Sequence, residues 1–253
     1  MGYKRLRPSE YRLRQKRRRQ RFAFIVVLAL CVLFFFLGRC SSSSVSLDVV
    51  DPGAAPDASP VSDGTASGNE LLTLVNSKHP VPSDWKVSLV QLKNGQSIDR
   101  RAYAALQEMM DDARSAGLSP LICSSYRTHA KQEDLYKKQI QKFLSQGYTQ
   151  SQAEEKAAEW VAPPGTSEHE LGLAVDIVAM DHQILDETQE HTEEQKWLIA
   201  NCWKYGFILR YPTDKSSITG IGYEPWHYRY VGKDAAKQIM EQGICLEEYL
   251  NQA

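Results

Sequence analysis

Ser167-Glu168-His169-Glu170-Leu171-Gly172-Leu173-Ala174-Val175-Asp176 is the stretch on which the reading of this chain turns. Its histidine and aspartate are seven residues apart. Seven extended steps cover about 23 Å, and seven helical ones about 10 Å, so the two side chains share one metal only if the chain doubles back between them. Gly172 is where such a reversal is easiest, and small Ala174 lets the returning strand approach closely. Asp176 sits inside the apolar, strand-like run Leu173-Ala174-Val175-Asp176-Ile177-Val178. Burying it as an unpartnered charge would be costly, so a metal or strong donors must meet it. A turn with a solvated histidine and a capping aspartate is the plainer reading of the same residues.

A second cluster follows at Tyr223-Glu224-Pro225-Trp226-His227-Tyr228-Arg229-Tyr230. On a strand from Trp226 onward, Trp226, Tyr228 and Tyr230 share one face, while His227 and Arg229 share the other. The aromatic stripe is expected in the core, leaving His227 and Arg229 toward a cleft. Pro225 forces Glu224 into an extended conformation and brings its carboxylate near His227. His169, Asp176 and His227 then make a three-ligand zinc set with an open fourth position, the pattern of catalytic sites. Glu224 supplies a base for the water that such a site activates. Upstream, Pro120-Leu121-Ile122-Cys123 reads as a buried strand delivering Ser124-Ser125-Tyr126-Arg127, with Gln132 beyond it. At a strand end the Arg127 guanidinium suits a substrate carboxylate or an oxyanion, although a surface salt bridge is its simpler role.

Around these clusters, apolar spacing and stop signals predict helices over 100–116, 128–146, 149–161, 193–205 and 233–242. Strands are expected over 120–123, 173–178, 207–211 and 223–231. Helices and short strands interleave without a regular βαβ alternation, which points to an α+β fold. Residues 70–253 have the size of one domain.

The composition, 42% hydrophobic and 24% charged, excludes a disordered, collagen-like or multi-pass membrane chain. Lys+Arg 30 against Asp+Glu 31 looks balanced, but ten of the basic residues fall within 1–21. Without that tail, 20 basic residues face 30 acidic ones in 22–253, a net of about -10. The uncharged run 22–38 (Phe22 to Gly38) would span about 25 Å as a helix, at the short end for a bilayer. The basic side should stay cytoplasmic, making 22–38 a signal anchor, 1–21 a cytoplasmic tail and the rest extracytoplasmic on a bacterial cell membrane. No small-x-small site closely follows the run, which favours a retained anchor over a cleaved signal peptide, and Arg39 argues against lipidation at Cys40. The tail is read as a topology signal, with no nucleic-acid partner. Residues 39–69, rich in Ser, Pro, Gly and Asp, are expected to form a flexible stalk. Cys123, Cys202 and Cys245 remain in the domain; a Cys202–Cys245 bridge and buried free thiols are both open.

The ordered combination SxHxxGxAxD, then ExxWH, with SYR upstream, resembles the VanY-type D-alanyl-D-alanine carboxypeptidases. These are zinc peptidases of the cell wall that share their fold with the hedgehog signalling domain. The resemblance covers about 75–250, including PPGTSEHELGLAVDI, YGFILRYP, ITGIGYEPWHYRYVG and the terminal LEEYL. It implies a single zinc-peptidase domain of the hedgehog/DD-peptidase type. His169, Asp176 and His227 match the family's zinc ligands, Glu224 its catalytic base, and Arg127 the arginine engaging the scissile carbonyl or substrate carboxylate. Gln132 and Ser167 match polar contacts to the terminal residue. The implied activity is removal of the C-terminal D-alanine from peptidoglycan stem peptides, with one Zn2+ per chain. An LD-carboxypeptidase acting on tetrapeptide stems would need the same zinc centre, and a non-catalytic wall-binding module would have no need of Glu224 and Arg127. Ser83-Asp84-Trp85-Lys86 fits S-x-x-K but lacks a downstream K-T-G, and Leu173 breaks H-E-x-x-H after His169. His79, His129, His182 and His191 have no ligand-like company.

Overall fold

Two three-residue strands, β1 (Leu89–Gln91) and β2 (Ser97–Asp99), form an antiparallel hairpin that runs directly into helix α1 (Arg100–Ser115). Asp99 makes the junction. Its carboxylate caps the helix through the Arg101 N–H and pairs with the Arg101 guanidinium at 2.8 Å. Ala102, Leu106, Met109, Met110 and Ala113 recur at helical spacing and bury one face of α1. There follow β3 (Pro120–Ser124), α2 (His129–Leu144), α3 (Gln150–Ala158), β4 (Ala174–Ala179), α4 (Glu193–Asn201), β5 (Phe207–Leu209), β6 (His227–Tyr230), α5 (Lys233–Gln242) and α6 (Leu246–Gln252). This computed structural model describes residues 70–252. The expected tail 1–21, anchor 22–38 and stalk 39–69 lie outside the described residues. Among the described residues no helix is long and apolar enough to cross a membrane.

The main sheet is antiparallel throughout, in the order β3-β4-β6-β5, which gives the expected α+β fold. Its central strand β4 is buried along its whole length. Alternation sends Val175 and Ile177 into the same core as Leu106, Met109 and Tyr228, and turns Asp176 to the other face. The ladder sets Asp176 opposite His227 on one neighbour and Ser124 on the other. A register shift between Ile122 and Ser124 interrupts β3 just before Arg127; such bulges re-aim the chain that follows. Helices α2 and α3 pack through Ile140, Ala153, Ala157, Tyr136 and Phe143 as a separate hairpin, and Thr149 and Gln152 close a capping box at the start of α3.

Several expectations are corrected in extent. The helix predicted over 149–161 stops at Ala158, ahead of Pro163-Pro164. That over 193–205 changes to a 3-10 turn at Cys202 and ends on Gly206, whose φ of 85° puts it in the left-handed region. The strand predicted from Tyr223 begins only at His227, because Glu224, Pro225 and Trp226 form a turn closed by the His227 N–H on the Glu224 carbonyl. The β1–β2 hairpin and α6 are additions. Among the described residues Cys123, Cys202 and Cys245 form no disulfide with one another.

Candidate active site

His169 rides on a 3-10 turn, Glu168–Leu171, that ends on Gly172 at φ 74°. A Cβ on Gly172 would come 2.7 Å from Val87 Cγ2 and 3.3 Å from the Asp99 backbone, so both the conformation and the close approach require glycine there. The turn reverses the chain as the spacing demanded. It carries the His169 ring to 3.3 Å, Nε2 to Oδ2, from Asp176. His227 reaches Asp176 from across the ladder, with Nδ1 3.1 Å from Oδ1. The two imidazoles meet edge to face at 4.9 Å. Both histidines and Asp176 are buried, and one ligand atom from each lies within 4.8 Å of the others.

The surroundings fit this set to a metal. The Ser125 carbonyl takes the Nδ1 side of His169 at 2.7 Å, which leaves Nε2 with its lone pair facing Asp176. His227 presents the opposite nitrogen: Nδ1 faces both Asp176 and, at 3.7 Å, Glu224 Oε2. Two imidazoles and a carboxylate converging from three sides make a donor set suited to a tetrahedral zinc with one position free. Arg127 completes the floor, with Nη2 2.6 Å from Asp176 Oδ2, Nε on Ser124 Oγ at 2.9 Å and Nη1 on Gln132 Oε1 at 3.3 Å. The group lies in a cleft of about 890 Å³ whose lining includes Trp160, Ser167, Tyr211 and Trp226.

Burial and charge pull these groups apart. Burial would protonate Asp176, but His169, His227 and Arg127 outweigh it and hold its carboxyl well below the usual range. Burial, helped by Arg127, pushes His169 down to about 4. For His227 burial acts in the same direction, but Asp176 and Glu168 overcome it and raise the imidazole to about 9. Glu224 is pushed up to about 8 by burial, reinforced by Asp176 and Glu168 against the pull of His227. A carboxyl poised near neutrality beside two imidazoles is what general acid–base work needs.

All the sequence-selected residues line this one cleft: Arg127, Gln132, Ser167, His169, Asp176, Glu224 and His227. The amide N–H₂ of Gln132 donates to the Ala162 carbonyl at 2.7 Å while its Oε1 accepts from Arg127. It braces Arg127. Arg229 is a correction. It does not share the cleft with His227 but is fully buried, donating to the carbonyls of Leu71 and Thr73 at 2.9 Å. The aromatic stripe also divides: Tyr228 is core, whereas Trp226 lines the cleft. Sequence reasoning missed Glu168 and Arg210, both buried and joined at 2.8 Å. The signal was an arginine in the apolar run Phe207-Ile208-Leu209-Arg210-Tyr211, which demands a partner just as Asp176 did.

Asp176 and His227 on neighbouring strands, His169 on a 3-10 turn and Glu224 in the turn before β6, all facing one cleft, define a mononuclear metallohydrolase centre. Residues 95–233 match the family model described as "VanY: D-alanyl-D-alanine carboxypeptidase". An Enterococcus faecalis protein, "D-alanyl-D-alanine carboxypeptidase", is 41% identical over 251 residues, covering 93% of this chain and 91% of the relative. The solved structure of VanYB in complex with D-alanine-D-alanine is 49% identical with a TM-score of 0.67, over 71% of this chain and 97% of that one. A mutant of the vancomycin resistance D,D-pentapeptidase VanY, solved in complex with Zn(II), is 48% identical, TM-score 0.66, over 72% and 99%. The LdcB LD-carboxypeptidase is 36% identical, TM-score 0.60, over 74% and 88%. This chain belongs to the VanY family of D-alanyl-D-alanine carboxypeptidases.

Proposed function

We propose that this chain is a zinc D-alanyl-D-alanine carboxypeptidase that removes the C-terminal D-alanine from peptidoglycan stem peptides. One observation carries the reading: a buried His169–Asp176–His227 set whose third ligand lies 3.7 Å from the Glu224 carboxylate, inside a cleft. Zinc held by those three residues supplies Lewis-acid polarisation of water and of the scissile carbonyl. Glu224 takes the proton of the attacking water and returns it to the amine of the leaving D-alanine. Arg127, 17% exposed at the cleft floor, engages the carbonyl oxygen as charge develops there, or the terminal carboxylate of the substrate. Gln132 keeps that guanidinium in place, and Ser167 contacts the terminal residue. Tyr211, packed on the His227 ring at 4.8 Å, and Trp226 restrict water at the site.

The run 22–38 anchors the protein in the bacterial cell membrane, with 1–21 in the cytoplasm and 39–69 as a stalk holding the domain 70–253 outside. The support is the charge asymmetry across an uncharged segment. Incubation with pentapeptide and tetrapeptide stems tests the function. D-Alanine release from the pentapeptide is expected. Cleavage of the tetrapeptide instead marks an LD-carboxypeptidase, and a zinc-loaded protein that cleaves neither is a binding module.

A further inference from the structure

Beside His227, where the cleft wall passes into the interior, lies a group of buried charges that the reaction does not use. Glu168 is wholly buried one residue before His169. Its Oε1 accepts from Arg210 Nε at 2.8 Å and lies 2.8 Å from Arg229 Nη1, close as an ion pair though not aligned as a hydrogen bond. The remaining Arg210 nitrogens form a fork on Glu247 of α6 at 2.8 and 2.7 Å. Among the described residues Glu168 Oε2 has no hydrogen-bond partner, and neither has His227 Nε2. These two buried atoms face each other at 3.6 Å. A histidine that offers Nδ1 to a metal carries its proton on Nε2, and a buried N–H needs an acceptor.

We propose that Glu168 is a positioning residue: its Oε2 accepts the Nε2–H of His227, so that Nδ1 is presented to the metal, while Arg210 and Arg229 hold the carboxylate. The proposal rests on His227 being a metal ligand. It gives a role to a buried carboxylate whose second oxygen has no hydrogen-bond partner among the described residues. It also makes α6 a brace for the metal centre, since Arg210 is clamped between Glu168 and Glu247. Partners of this kind fix the ring and raise its basicity, and losing one weakens metal binding by about 10- to 100-fold.

The test uses the full chain labelled with 15N at histidine and loaded with zinc, as wild type and Glu168→Gln. Two quantities are read: the zinc dissociation constant by chelator competition, and the ring N–H resonances. The His169 Nδ1–H, held by the Ser125 carbonyl at 2.7 Å, is an internal control. The expected result is zinc affinity lower by about 10- to 100-fold in Glu168→Gln, with the His227 Nε2–H resonance lost or displaced and that of His169 unmoved. Unchanged zinc affinity in the variant overturns the proposal. Loss of both resonances overturns it too, because that describes a packing residue. Should the variant fail to fold, the wild type alone decides: Nδ1 ligation with a protected Nε2–H supports the proposal, and ligation through Nε2 overturns it. A wild-type chain that binds no zinc is a separate failure, that of the ligand set itself.

Discussion

His169 and His227 lie edge to face at one site, yet the protein holds them by opposite means. His169 is fixed by main chain: a 3-10 turn, a glycine reversal and the Ser125 carbonyl on Nδ1. His227 stands at the start of a strand among side-chain charges, with Asp176 and Glu224 toward its Nδ1 and Glu168 toward its Nε2. The contrast appears in their proton affinities. Burial and Arg127 push His169 down to about 4, while Asp176 and Glu168 overcome burial and lift His227 to about 9. A ligand tied to backbone is a preformed neutral donor. One embedded in carboxylates must shed a proton to accept a metal, so its affinity is tunable by the residues around it.

The strongest way to break the comparison is to delete each ring. His169→Ala and His227→Ala should each abolish stoichiometric zinc binding, measured by metal analysis, because a three-ligand set that loses one member is no longer a high-affinity site. Retained stoichiometric zinc in either variant removes that residue from the set. Next in size, Arg210→Met leaves Glu168 and Glu247 without their shared cation. A stability loss of about 3–5 kcal/mol is expected from denaturant unfolding, as for other buried ion groups missing one partner. A loss below about 1 kcal/mol would mean that the cluster is solvated.

The pH dependence of the metal-free protein sharpens the comparison further. His227 is raised above its unfolded value of about 6.5, so its contribution is full below that pH and is lost as pH rises through about 9. Glu224, raised to about 8, acts with the same sign, because the folded state again binds more protons than the unfolded one. His169 has the opposite sign but acts lower, losing stability as pH falls from about 6.5 through about 4. Metal-free protein should therefore lose thermal stability between about pH 6.5 and 9, and zinc-loaded protein should lose less, since the metal replaces the His227 proton. Equal slopes with and without zinc would contradict this account. The smallest effect is expected at His129, an exposed histidine 3.0 Å from Glu170. His129→Gln should leave zinc affinity and turnover unchanged, because a solvated histidine–carboxylate contact contributes little.

What was legible in the sequence follows the same division. The His169 reversal could be read locally, since seven residues, one glycine and a charge in an apolar run leave few geometries. That Asp176 lies directly opposite His227 was not legible, because two predicted strands carry neither partner nor register. The arrangement beside His227 was not readable, because Glu168, Arg210, Arg229 and Glu247 come from four separate segments and meet only through the sheet order β3-β4-β6-β5. Period-two alternation put Arg229 on the His227 side of β6, but it carries no information about what covers that side. The β1–β2 hairpin escaped notice because three-residue strands are too short to show a period. Helix α6 is likewise brief, and its anchoring residue Glu247 looks like any acidic residue near a helix start.

Glu224→Ala tests the central claim most directly, with zinc content and D-alanine release from a pentapeptide stem measured on the same preparation. The expected result is one zinc per chain, as in the wild type, with release slowed by about 10²- to 10⁴-fold through loss of the general base. Full turnover by the zinc-loaded variant would contradict the assignment of Glu224 and the chemistry built on it.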